Sequence, residues 1–341
     1  MQLDMNRLPC IAVGIDDGYA CTKVALPDGR LIATPSRAHI GQSKVSWIRK
    51  AEQLIFEYET DGTVYSVGDV EATPTRFEGY ACSGLNRAIV QHALQCADLE
   101  GALVKAVSGL PVSSFYRNGG GHRDAAINAK RENLLVPVHP RNGAMTAEIT
   151  DHEVLPEALA AWYDHVITEE DGVARLDQDR VAKPIAVVDI GGRTTDTVVV
   201  RHQGILHTSS GSCDIGLLDV KQSLSDALEA RFDLQTLNDR LVTRALETQA
   251  IRLFGRDYDV SQEVLAAKHE LVERLHGELR RQLGSAVELD CVLFVGGGAV
   301  ALAEYIRDWF PNQLIAHQPA FANARGMLKF LLHVCGEERD Q

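Results

Sequence analysis

The sequence predicts an α/β protein of two similar lobes, each a mixed β-sheet flanked by helices, facing one another across a cleft. Three observations carry this. A hairpin with an acidic, glycine-rich turn occurs twice, a strand runs into three glycines and a helix near the end, and 341 residues are more than one ordinary core holds. Residues 1–182 are expected to form the first lobe, with a helix at 322–336 packing back on it, and residues 183–321 the second.

The central stretch is 184–201. Ile185 to Val188 is an apolar run ending on Asp189, Thr197 to Val200 is a β-branched run, and Gly191, Gly192 and Arg193 lie between them. Glycines permit positive φ and remove side chains, so the N–H groups of Gly191, Gly192, Thr194 and Thr195 can close on an anion such as a phosphate chain. A carboxylate beside a phosphate requires a divalent cation between them, and Mg²⁺ is usually held by one or two carboxylates plus phosphate oxygens. The stretch therefore reads either as a Mg-nucleotide turn or as an Asp-Gly-Gly hairpin whose acid starts the turn.

The repeat lies at 10–26, where an apolar run leads to Asp16, Asp17 and Gly18 and a second run carries Lys23. Two such turns suit a ligand gripped from both sides, with Lys23 as a point charge for phosphate oxygens. Near the end, residues 291–295 form a continuous apolar strand followed by Gly296, Gly297, Gly298 and a helix pattern over 299–310. Glycines there allow a flat base or sugar to approach the backbone, or simply make a tight turn.

Composition narrows the classes. The formal charge of −13 argues against direct binding to nucleic-acid phosphates, which needs clustered Lys and Arg. Seven scattered cysteines without a C-x-x-C pair read as reduced, and twelve histidines without H-E-x-x-H give no sign of a zinc site. No apolar run reaches membrane-span length, and the opening residues lack signal-peptide character, so a cytoplasmic protein without membrane contact is expected.

In chain order, residues 29–50 read as a polar connection, and strands at 54–58 and 63–67 flank Asp61-Gly62. Helical spacing over 84–97 makes His92 structural. A strand follows at 103–107, a polar segment with a mobile glycine loop at 113–135, and a strand at 145–149. Pro156 suits the first position of a helix with the apolar stripe Leu155, Leu159, Trp162 and Val166. That places Glu157 in the first turn, either complementing the helix dipole or orienting a water at the site. Residues 168–183 read as a polar boundary between lobes. After the central hairpin, Asp214 and Gly216 precede a helix at 217–232, Asp214 as its cap or as part of a ribose-phosphate contact. Residues 236–283 read as helical apart from a break at 255–260, and 322–334 as a short apolar helix.

Three motifs thus stand in fixed order: DDG-x-x-x-x-K at 16–23, DIGGRTTD at 189–196 and VGGGA at 295–299. The set resembles the phosphate-1, phosphate-2 and adenosine motifs of the actin, sugar-kinase and heat-shock-chaperone ATPase superfamily. Within it the chain is most similar to the ParM/StbA actin-like ATPases of plasmid segregation, with matching stretches at 109–118, 154–162, 211–216 and 322–330. The resemblance implies the actin-like ATPase fold, with ATP or ADP and Mg²⁺ in the cleft. It implies Asp16 and Asp189 as metal-side carboxylates, Lys23 as the phosphate lysine, and Glu157 as the glutamate that positions the hydrolytic water. Gly18, Gly191, Gly192, Thr194 and Thr195 would cradle phosphates, and Gly296, Gly297 and Gly298 would bound the adenosine pocket.

Two positions depart from the pattern. Tyr19 stands where a small hydroxyl residue is common, keeping a backbone N–H contact but not a hydroxymethyl one, and Arg193 stands where the loop is often small or threonine. The expected function is an ATPase that polymerises with itself into nucleotide-dependent filaments, joined to plasmid DNA by a basic, DNA-bound adaptor of the ParR type. A small-molecule kinase and a non-polymerising nucleotide-binding scaffold are the other uses of such a cleft.

Overall fold

The computed structural model describes residues 10–45, 55–170 and 173–335. Leu54, the expected start of one strand, and residue 336, the expected end of the last helix, lie outside the described residues.

The first part runs β1 (Ile11–Asp17), β2 (Cys21–Ala25), β3 (Leu31–Pro35), β4 (Ala38–Ile40), β5 (Ile55–Thr60), β6 (Thr63–Gly68), α1 (Gly84–Cys96), β7 (Leu103–Leu110), α2 (Val112–Phe115), α3 (Asp124–Leu135), β8 (His139–Pro140), β9 (Glu148–Pro156) and α4 (Leu159–Val166). A connection of β10 (Ile167–Glu170), β11 (Val173–Leu176) and α5 (Gln178–Ala182) leads to the second part. That part runs β12 (Ile185–Ile190), β13 (Thr195–Arg201), β14 (Gly204–Ile205), β15 (Gly211–Cys213), α6 (Leu217–Phe232), α7 (Asp239–Thr248), β16 (Ala250–Leu253), β17 (Arg256–Asp259), α8 (Ser261–Leu283), β18 (Cys291–Val295), α9 (Gly296–Ala301), β19 (Gln313–Ile315) and α10 (Ala322–His333).

The two halves repeat one topology. The first main sheet has the order β3-β2-β1-β7-β9 and the second β14-β13-β12-β18-β19. In each, the antiparallel hairpin lies on one side and two parallel strands follow on the other. The central strands are buried along most of their length, as continuous apolar runs covered on both faces should be. A four-stranded sheet, β4-β6-β5-β8, and α1 extend the first half, while α6, α7 and α8 build the core of the second. Helix α10 seats on β1 at Gly14, where a Cβ would run into the Ala324 carbonyl, and on α4 at Gly326, where a Cβ would run into the Ala160 carbonyl. Among the described residues no helix is long and apolar enough to cross a membrane.

Five expectations need correction. The polar connection at 29–50 contains β3 and β4, which pair with β2 and β6. The polar segment at 113–135 contains α3, whose hidden face includes Lys130 and Asn133, so its burial follows from polar pairing and not from an apolar stripe. Pro156 ends β9 instead of starting a helix; β9 is an edge strand, where a missing N–H costs no ladder bond. The break at 255–260 is the turn and second strand of a β16–β17 hairpin, and the last glycine-led helix is only α9, ending at Ala301 and not at 310.

Candidate functional site

The C-terminal ends of β1 and β12 and the following turns face one another across a cleft of about 770 Å³ including its open mouth. Its lining joins residues from both halves: Asp16, Gly18, Tyr19 and Lys23 from the first hairpin, Asp189, Gly191, Gly192 and Thr194 from the second, Glu157, and Gly297 of α9. Thr195, Asp214, Gly216, Gly296 and Gly298 stand outside that lining.

Each carboxylate is held by a different device. Asp16 is buried and pairs with Lys23, directly opposite in the ladder, at 2.7 Å. Asp17 also lines the cleft, but its Oδ2 is engaged: Asn86 donates to it at 2.7 Å and the fully buried Lys130 pairs with it. Asp189 accepts from Asn323 Nδ2 of α10 at 2.6 Å, and its Oδ1 occupies the space that a Cβ on Gly296 would fill. Gly296 thus makes room for the carboxylate and Gly298 for Ile190.

Glu157 precedes α4, on a tight turn. The Glu157 carbonyl accepts from Leu159 N at 2.8 Å around Ala158, whose φ is +63° and ψ −40°, a γ-turn in a sparsely populated region that costs about 1–3 kcal/mol. Asn323 Oδ1 accepts from the Ala158 N–H at 3.2 Å, so one side chain steadies both this turn and Asp189. Glu157 lies just before the N-cap of α4 and not in its first turn as expected. Gly109 on β7 clears its path: a Cβ there would lie 2.8 Å from Glu157 Cγ.

The electrostatics are those of crowded acids. Burial, then Asp16 and Asp196, push the Asp189 carboxyl up to about 7, against the pull of Lys23 and Asn323. Burial followed by Asp196, Asp16, Asp189 and Asp17 holds the Glu157 carboxyl well above the ordinary range. Asp196 is also raised by burial, although Ser212 Oγ at 2.5 Å, Val112 N at 2.6 Å and Thr194 Oγ1 at 2.9 Å all donate to it.

The side chains at two further expected positions are engaged within the protein. The Thr195 hydroxyl donates to the Ile215 carbonyl at 2.8 Å, tying β13 to the start of α6. Asp214 does not cap α6, whose N-cap is Gly216 without a side-chain bond; it accepts from Arg193 Nε at 3.2 Å at the surface. Gly216 is instead a packing glycine, since a Cβ there would meet the Gly192–Arg193 backbone. Three site residues escaped the sequence reading. Asp196 was visible as the ladder partner of Asp189 in the DIGGRTTD hairpin, whereas Asn323 and Lys130 reach the site from distant helices and leave no local signal.

The donor set suits a magnesium-bound phosphate chain. Two carboxylates from opposite halves face the cleft beside Lys23, and glycines at the two turns leave the backbone bare. Among the described residues no cluster of three or more His, Cys, Asp or Glu is arranged to hold a metal by itself.

Comparison with known proteins places the same halves in related company. The family model described as plasmid segregation protein ParM, N-terminal, matches residues 11–167, and that described as archaeal actin homologue MreB-like, C-terminal, matches residues 187–308. No curated protein sequence matches. A 15-stranded ParM filament from Clostridium botulinum superposes with a TM-score of 0.73 at 19% identity, covering 94% of this chain and 98% of the other. The archaeal actin homologue Ta0583 in complex with ADP gives 0.70 at 21% identity, covering 96% and 99%. Bacillus thuringiensis ParM with AMPPNP gives 0.64 at 15% identity, covering 96% and 99%.

Proposed function

From an actin-like ATPase fold that resembles the ParM/StbA-type segregation proteins over most of its length, we propose that this protein binds ATP with Mg²⁺, hydrolyses it to ADP and assembles into nucleotide-dependent filaments. The filaments serve DNA segregation in the cytoplasm, joined to plasmid by a basic, DNA-bound adaptor of the ParR type that the acidic chain attracts. The observation that carries the reading is the meeting of Asp16, Asp189 and Glu157 in one cleft between two glycine turns from opposite halves.

When bound, a Mg-nucleotide supplies the phosphoryl group and the positive charge that this acid-rich cleft is short of. Asp16 and Asp189 are the residues that would hold the metal side, with Lys23 beside the phosphates. The bare turns at Gly18, Gly191 and Gly192 offer N–H donors that orient the chain. Glu157, on its rigid γ-turn and with a raised affinity for protons, orients a water and takes a proton at its carboxylate. Loss of a phosphate removes contacts shared by both turns, so the halves loosen and so do the contacts between subunits.

Sedimentation with ATP, a non-hydrolysable analogue and ADP tests this reading. Pelleting is expected with the first two and reduced with ADP; no nucleotide-dependent pelleting over a wide concentration range removes the filament part. Glu157→Gln should retain nucleotide binding and slow phosphate release by about 10²-fold or more. An unchanged single-turnover rate would instead support the non-catalytic scaffold.

A further inference from the structure

Tyr19 and Arg193, the two positions that depart from the motif pattern of the family the sequence resembles, touch one another. The Arg193 guanidinium lies 5.2 Å from the centre of the Tyr19 ring, and that ring also packs on Tyr80 at 5.1 Å. Arg193 Nη1 donates to the Phe77 carbonyl at 3.2 Å in the first half, while its Nε donates to Asp214 at 3.2 Å in the second. One side chain therefore ties the halves together. The turns beneath are in contact as well: a Cβ on Gly192 would lie 2.8 Å from Ala20 Cβ and 3.0 Å from Ala20 N. Tyr19, Ala20 and Gly192 all line the cleft.

We propose that Tyr19 and Arg193 form a clasp across the two phosphate turns, closing the cleft mouth and setting how long a nucleotide stays bound. This rests on the nucleotide reading above. A guanidinium over an aromatic face is held by the ring quadrupole, and the contact grows stronger where water is excluded. The clasp joins residues that move apart when the halves open, so it acts on the closed state alone. Tyr19 and Arg193 are positioning residues: they hold the turns over the ligand and take no part in bond breaking.

Release of a fluorescent ADP analogue in the presence of Mg²⁺ should be measured for wild type, Tyr19→Leu, Arg193→Thr, the double variant and Tyr19→Phe. Each of the first two is expected to release nucleotide about fivefold to tenfold faster, the size of one partly exposed cation–π contact. The double variant should be no faster than the faster single, and Tyr19→Phe, which keeps the ring, should remain slow. Unchanged rates, or accelerations that multiply in the double variant, would overturn the clasp. Cys21, half-buried in the cleft lining, gives a second readout without nucleotide. Its alkylation by iodoacetamide, followed by peptide mass spectrometry, should quicken in Arg193→Thr, a change made in the opposite half. No change overturns the clasp; quickening in a protein that binds no nucleotide upholds the closing contact and removes the nucleotide reading instead.

Discussion

In the first hairpin the residue directly across the ladder from Asp16 is Lys23; in the equivalent hairpin of the second half, the residue directly across from Asp189 is Asp196. Directly opposed side chains in an antiparallel pair project to the same face, so the first is an ion pair and the second two like groups, which oppose one another. The neighbours carry the contrast further. Among the described residues, Asp17 has a buried lysine as a hydrogen-bond partner, whereas Asp189 has the amide of Asn323 and Asp196 has hydroxyls and a backbone N–H. Two turns of one topology therefore differ in charge balance: the first half is compensated from within, and the second leaves acid to be compensated by what enters the cleft.

The largest expected effect comes from breaking the compensated side. Lys130→Met leaves Asp17 buried without its cation and should destabilise the protein by about 3–5 kcal/mol in chemical denaturation. A loss within experimental error would mean that the Lys130–Asp17 pair contributes nothing and that the contrast is false.

The sharper test sets the equivalent carboxylates against each other. Asp16→Asn strands Lys23 and should destabilise the nucleotide-free protein by about 1–3 kcal/mol. Asp189→Asn relieves crowding while keeping an acceptor for Asn323, and should stabilise it at neutral pH by about 1–3 kcal/mol. Shifts of the same sign in both variants would break the comparison.

Taken per unit of pH, the smallest effect is a slope. The folded state raises the Asp189 carboxyl to about 7 from its ordinary 3.8, so it binds that proton more tightly than the unfolded chain does. The resulting stabilisation is present below about pH 4 and is lost as pH rises through 7, at no more than about 1.4 kcal/mol per unit from this group. Midpoints of nucleotide-free wild type should fall over that range, and Asp189→Asn should flatten the slope.

The sequence revealed the hairpins because apolar runs broken by acid and glycine have few other ways to fold, and it exposed the repeat because the turns recur. It hid what depends on polar burial. Helix α3 read as loop because Lys130 and Asn133 occupy its inner face, and Pro156 read as a helix start because an edge strand and a helix both tolerate it. The γ-turn at Ala158 has no glycine to announce it, and Asn323 matters only because α10 folds back between the halves. Asp16, Asp189 and Glu157 were legible; Asp196 and the side chains that hold these carboxylates were not.

The central claim is that Asp16 and Asp189, from opposite halves, share one metal-bound triphosphate. Crystals grown with a non-hydrolysable ATP analogue and Mn²⁺ in place of Mg²⁺ test it through the anomalous signal of the metal. The expected result is a single peak in this cleft, reached by both carboxylates directly or through one water, with the phosphates against Gly191 and Gly192. A peak that only one of them reaches, or a nucleotide bound elsewhere, would contradict it.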